Sequence, residues 1–381
     1  MAITLLVTDQ NLAVVGDPLD GWTSLSCDLN FNQPAAGSIT LPALPQYAAQ
    51  LQAGRRLVLI RDGAIWCAGP LEVPQEGIWD VDSNPDPGQI TANFTDDLGR
   101  VAGYLTYPDP TVAFASQVTA SDATYQLTTT NAETIIRTLV NVNCGPGALA
   151  ARQIPSLVLD SVAGVGSNTS ITTRFEALLD ACRTVAATDG LGFRTRQVGS
   201  QIKFGVYQPA DLTSTARFST GLGNLRSVQW KLSAPTATSE LVQGGDTGSR
   251  VYVETASGQA ATWYRVEKLV DETGTTSSTE LTQAANLAFG DDGPQASLST
   301  VTVDTDDLKA GRDYGLGDRV TVVLPTGLEI ADVVTTIRLE ATPDEGELVT
   351  SVVGRQDETT ASQTVRWIRE LARRLGRVEA R

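Results

Sequence analysis

The sequence predicts a mainly β protein with a mixed α/β insert and a C-terminal helix. Three observations carry that reading. Short apolar runs punctuated by tight-turn residues fill the first hundred positions. Two helix-capping patterns follow Pro110, and strand patterns return after Phe218. A chain of 381 residues has room for two or three domains of about 150 residues each.

In the first region, Leu57 to Ile60 and Ile65 to Cys67 flank Asp62-Gly63, a pair suited to the left-handed angles of a two-residue hairpin turn. A second hairpin is expected from Ile78 to Thr95, across a loop of Asn, Asp, Pro and Gly. Alternation of Ile3, Leu5 and Val7 gives one buried face, and a small barrel or a sandwich fits residues 1–110. After Tyr107-Pro108-Asp109-Pro110 the pattern changes. Thr130 and Glu133 form a capping box ahead of Ile135, Ile136, Leu139 and Val140, which Cys144-Gly145-Pro146 ends. Thr173 and Glu176 form another, ahead of a stripe of Phe175, Leu178, Leu179, Cys182 and Val185. Gly199-Ser200 marks a hairpin, so residues 111–205 read as mixed α/β. Residues 206–355 return to strands, interrupted by one helix from about Glu280 to Phe289.

Residues 356–381 read as an amphipathic helix opened by Thr360 and Gln363. Val365, Ile368, Ala372 and Leu375 hold the a and d positions of a short seam, and Arg369, Arg373 and Arg377 make a basic face. Six arginines against two glutamates put +4 on the last twenty residues, leaving −20 on the rest. A lone helix of this size is marginal in water, so it is expected to serve as an assembly element.

Composition removes whole classes of function. With no histidine there is no Ser-His-Asp or Cys-His catalysis and no His-ligated zinc or haem. A net charge of −16 opposes adhesion to nucleic acid, whose phosphates need a basic surface. The start MAITLLVTDQ lacks the basic, apolar pattern of a secretion signal, and no run approaches the roughly 18 apolar residues of a membrane span. A soluble chain without stable membrane association is expected. Charged residues are 19%, below the roughly 25% typical of soluble domains, which suits broad neutral contacts. Cys27, Cys67, Cys144 and Cys182 are too widely spaced for a CxxC site and read as buried free thiols.

Candidate sites are sparse. Asp80, Asp82, Asn84 and Asp86 alternate along a loop in the manner of calcium ligands. Pro85 and Thr91 stand where an EF-hand needs Gly and Glu, so a solvated hairpin loop is the simpler reading and no metal is expected. Asp304, Asp306 and Asp307 make a weaker case still. The 44 acidic residues offer no carboxylate pair marked by motif for glycoside hydrolysis. The glycines of GLGNL and YGLGD lack the strand-to-helix setting of a phosphate cradle, and no cofactor is expected. Trp22, Trp66, Trp79, Trp230 and Trp263 read as core or interface residues, and Trp367 lies off the seam of the terminal helix.

DQNLAVVGDPLDGWTSLSCDLNFNQPAAGSITLP and AGRRLVLIRDGAIWCAGPL resemble the N-terminal region of tail hub proteins from long-tailed, non-contractile bacteriophages. The distal order LTQAANLAF, STVTVD and DYGLGDRVTVVL resembles the same family. The resemblance implies two barrel-like β domains of hub type, at 1–110 and 206–355, in a homotrimeric ring at the tail tip of the virion, assembled in the host cytoplasm. It also implies the partners: a distal tail or tail tube protein above, and the tape measure protein in the channel. Downstream tip or receptor-binding proteins would lie below, with DNA present only in transit. The function implied is structural, with Tyr314 to Asp318 leading into a barrel strand. The competing readings are a tail-tip hydrolase of wall polysaccharide and a carbohydrate-binding β protein.

Overall fold

The computed structural model describes residues 3–80, 84–117, 123–246, 248–344 and 346–354. Its first region comprises β1 (Ile3–Thr8), β2 (Ser24–Asn30), β3 (Gln33–Pro42), α1 (Pro45–Gln50), β4 (Arg56–Arg61), β5 (Ala64–Asp80), β6 (Asn84–Thr95) and α2 (Leu98–Ala102). The Asp62-Gly63 turn is present. Both residues have positive φ, 52° and 80°, and Arg61 stands opposite Ala64 across the hairpin. The predicted Ile78–Thr95 hairpin is formed by β5 and β6, which pair antiparallel out to Asp80 and Asn84. β5 changes partner along its length, pairing with β4 up to Pro70 and with β6 from Leu71 onward.

The insert contains β7 (Tyr125–Asn131), α3 (Ala132–Asn143), β8 (Leu157–Leu159), β9 (Asn168–Thr173), α4 (Leu178–Asp189), β10 (Gly192–Val198) and β11 (Gln201–Tyr207). Ile135, Ile136, Leu139 and Val140 of α3 share a core with Leu178, Leu179, Cys182 and Val185 of α4 and with Phe193 and Phe204. Both capping boxes are displaced. Thr130 pairs with Thr169 inside β7, so the cap passes to Asn131, whose side chain accepts the Thr134 N–H. Glu133 is drawn elsewhere, accepting N–H bonds from Ala163, Gly164 and Val165 at 2.7, 2.6 and 3.0 Å. Before α4 the chain is tied to Thr106 through the backbone of Phe175 and Glu176, which delays the helix start to Leu178. Phe175 therefore sits outside the helix, at a φ of 52°.

The last region comprises β12 (Arg217–Phe218), β13 (Leu225–Ser233), β14 (Ser239–Gly244), β15 (Val251–Ala256), α5 (Ala260–Trp263), β16 (Glu267–Glu272), α6 (Ser278–Asp292), β17 (Gln295–Thr302), β18 (Arg319–Val323), β19 (Glu329–Thr342) and β20 (Gly346–Val353). Its principal strands do not stand apart from the first region. β19 pairs with β2, completing a sheet of order β1-β4-β5-β6-β3-β2-β19-β18-β12, with β20 also on β19. One core gathers Leu5, Leu41, Leu57 and Phe94 with Phe218, Val320, Ile337 and Val353. Tyr314, in the predicted lead-in to β18, packs edge-on against Phe218 at 5.3 Å. β15, β14 and β16 form a separate three-stranded sheet under α6, with Val242, Leu281 and Ala285 between. The molecule is mainly β with few helices, and no helix among the described residues is long and apolar enough to cross a membrane. The predicted terminal helix, with Val365, Ile368, Ala372, Leu375, Arg369, Arg373 and Arg377, lies outside the described residues.

Candidate functional site: the inter-region cleft and the open sheet face

Strand β4 is an apolar run closed by an arginine at each end, and each arginine ties the first region to another part of the chain. Arg56 is buried. Its Nη2 donates to Asp97 at 2.5 Å and its Nη1 to Gln197 of the insert at 3.0 Å and to Thr8 at 3.2 Å. Side-chain exposures of 2% and 1% for Arg56 and Asp97 place this pair in the interior. Burial raises the Asp97 carboxyl above the usual range, although Arg56 beside it pulls the other way. Arg61, at the far end, bridges Asp304 at 2.8 Å and Glu347 at 2.9 Å in the last region, its guanidinium 4.9 Å from the Trp66 ring centre. Sequence reading missed both networks. The available signal was an arginine at each end of a strand with no polar alternation.

Beside β4 the three regions enclose a cleft of 680 Å³, bounded by the β4–β5 hairpin, by β10 and by residues 309–316. Cations line it, among them Arg194, Lys309 and Arg312. Two polar atoms of its lining residues, Trp66 Nε1 and Thr195 Oγ1, are buried without a hydrogen-bond partner among the described residues. Cys67 lines it too, but its thiol is pushed well up by its hydrogen bond with Cys27 and by burial, which opposes thiolate chemistry. Asp96 is pushed up to about 7, mainly by burial, with backbone N–H groups of Ala35, Gly99 and Leu98 acting against the shift. A carboxyl so raised is what a general acid needs. Its neighbour Asp97, however, is held by Arg56 and is not available as a second catalytic carboxylate.

Glu240, fully buried near Asp292, is also pushed up to about 7, first by burial and then by the Asp292 charge. The folded chain thus keeps protons on Asp96 and Glu240 that the unfolded chain releases near pH 4. The stability they contribute is complete below their unfolded values and is lost as pH rises through about 7. The melting temperature should therefore fall by several degrees between pH 5 and pH 9, and Asp96→Asn with Glu240→Gln should flatten the profile. A melting temperature that rises over that interval in circular dichroism melts would contradict this.

Of the other predicted site residues, Asp80, exposed at the end of β5, is the register partner of Asn84, and Asp82 lies outside the described residues; Asn84 and Asp86 lie on β6, so the expected loop is strand at these positions. Asp304 is engaged by Arg61, and no group of three or more Cys, Asp or Glu that could hold a metal ion occurs among the described residues. All four cysteines are free and buried, as predicted. The tryptophans divide: Trp22 and Trp66 pack against the main core, whereas Trp79, Trp230 and Trp263 are exposed, so core burial does not hold for these three. Exposed apolar side chains gather at two places. One is the outer part of the β5–β6 hairpin, with Val73, Ile78 and Trp79, and the other is the face of the β15-β14-β16 sheet turned away from α6.

This architecture is that of phage tail proteins. It matches the tail protein from Neisseria meningitidis MC58 with a TM-score of 0.60 at 14% identity, over 93% of this chain and 97% of that one. The 43 kDa tail protein of prophage MuSo2 from Shewanella oneidensis matches with a TM-score of 0.60 at 11% identity, over 92% and 98%. Prophage tail protein gp18 from Listeria monocytogenes EGD-e does so with a TM-score of 0.60 at 9% identity, over 97% and 99%. No curated protein matches the sequence. The model of the siphovirus ReqiPepy6 Gp37-like protein family matches residues 4–355, and the chain belongs to that family of siphovirus tail proteins.

Proposed function

We propose that the protein is the hub of the tail tip, a homotrimeric ring that joins the six-fold tail tube to three-fold tip components. The tape measure protein and then DNA pass through its channel. The observation that carries this reading is the joining of the first and last β regions in one sheet, locked by Arg61 to Asp304 and Glu347. Such a body can present residues 1–110 and 206–355 as two ring-forming halves, so three chains supply six. The insert, 111–205, faces outward, and the terminal helix is the assembly element. An acidic channel wall lets DNA slide, because it offers few cations to replace counterions.

Mass measurement in solution tests the reading: three chains per particle are expected, and a single chain or a six-chain ring in imaged virions would overturn it. The ring works without catalysis. Purified protein should leave host peptidoglycan intact on a zymogram, and clearing that Asp96→Asn abolishes would establish the hydrolase instead. Calcium is dispensable in this role. Chelator should leave the melting temperature unchanged, and a fall that Asp82→Ala removes would restore the calcium loop.

A further inference from the structure

The β15-β14-β16 sheet is covered on one side only. Strand alternation turns Val242, Val251, Val253 and Val270 toward the α6 side. On the opposite side stand Leu241, Tyr252 and Leu269, exposed by 39%, 52% and 58%. Leu241 and Leu269 are register partners, and Tyr252 is opposite Gln243, two positions along β14. Tyr264, between α5 and β16, is 83% exposed and at a φ of 79°, a backbone angle that a bulky side chain rarely adopts. The rim is acidic on balance. Glu254 and Glu267 pair with Arg265, at 2.5 and 2.6 Å, and Asp271 follows on the same face, three carboxylates against Arg265 and the Arg250 that precedes β15.

We propose that this face receives residues 363–378 of a second copy of the chain, docked as an amphipathic helix. The proposal rests on the trimeric reading above and names the contact that closes the ring. The apolar seam of Val365, Ile368, Ala372 and Leu375 matches the exposed leucines, and five arginines against one glutamate in that segment oppose the acidic rim. The dimensions also agree. Sixteen residues of helix span about 24 Å, and six-residue strands run about 20 Å. The fifteen-residue α6 already covers the reverse face of the same strands. Docking a second helix completes a helix–sheet–helix sandwich, with both faces of the sheet buried. A neighbouring copy is the source because a closed ring needs one patch of each chain to meet a different patch of the next, and tail and sheet face are such a pair.

The test places the photo-crosslinking residue p-benzoylphenylalanine at position 269 of the full chain, with position 162, on an exposed insert loop, as the control. Irradiation should give chain-to-chain products at 269 and not at 162, with the linked peptide mapping to residues 356–381. Leu375→Glu in the same chain should reduce the yield at least tenfold. Products within one chain, links to another segment, or no product would reject the docking. Native mass of the unirradiated sample separates the two readings: a three-chain particle without the 269 link rejects this contact alone, and a single chain rejects the ring as well.

Discussion

Replacing Arg56 by Ala should lower the unfolding free energy by about 3–5 kcal/mol, the usual effect of stripping one member from a buried ion pair. Asp97 would remain in the interior without its hydrogen-bonded cation, left with only the weaker pull of Arg100, and Gln197 and Thr8 would lose their donor. Because the pair's own worth is offset by the desolvation of both charges, Arg56→Met combined with Asp97→Leu should recover much of the loss. Denaturant unfolding at constant pH checks both. A single-variant loss below about 1 kcal/mol would mean that Asp97 is hydrated in solution and that the junction is looser than its geometry.

Gly69→Val should be as damaging, for a steric reason. A Cβ at Gly69 would stand 2.2 Å from the Thr95 carbonyl oxygen and 2.6 Å from the Asp96 Cα, both backbone atoms with little freedom to withdraw. Gly69 lies on β5 just before the change of partner from β4 to β6, where two backbones pass closest. A loss of about 3 kcal/mol or more is expected, at the upper end for overpacked sites. Even Gly69→Ala should show most of it, since the first carbon makes the collision. By contrast, Gly63→Ala meets no atom within 4 Å but sits at a φ of 80°, so its smaller loss comes from backbone strain. Equal melting temperatures for wild type and Gly69→Ala would show that β5 and β6 are spaced more widely than described.

Local features of the chain were readable because their causes are local. The turn at Asp62-Gly63 needs positive φ at both residues and that at Gly199-Ser200 at its glycine, which few residue pairs tolerate, and both predicted hairpins form. The helical stripes of α3 and α4 were likewise visible, down to Cys182 and Val185 in the core. What remained hidden was non-local. Nothing near Cys27 indicates that it will face Leu339, since a strand's pattern specifies which face is buried and not which strand lies beside it. The caps failed for a related reason. Thr130 and Thr173 had the right local chemistry, but pairing of β7 with β9 and the tie to Thr106 claimed the backbone first. The cleft and the two arginine networks of β4 were missed because arginine in a sequence reads as surface, and only the fold shows Arg56 ringed by Thr8, Asp97 and Gln197.

The pairing of β2 with β19 also dictates an order of events during synthesis. The Asp28–Arg338 contact closes a separation of 310 residues. At about 5–20 residues per second the ribosome needs roughly 15–60 s to cover that distance. The insert draws most of its core from residues 98–206 and can mature in that interval. The first six strands cannot, because β2 remains an unpaired edge and Leu25 and Ile39 await the side chains of β19 and β20. A nascent chain halted before residue 329 therefore carries a bare strand and half a core, the two features that invite chaperone capture or aggregation. Contact order thus makes β19 and β20 the step that commits each chain to its fold.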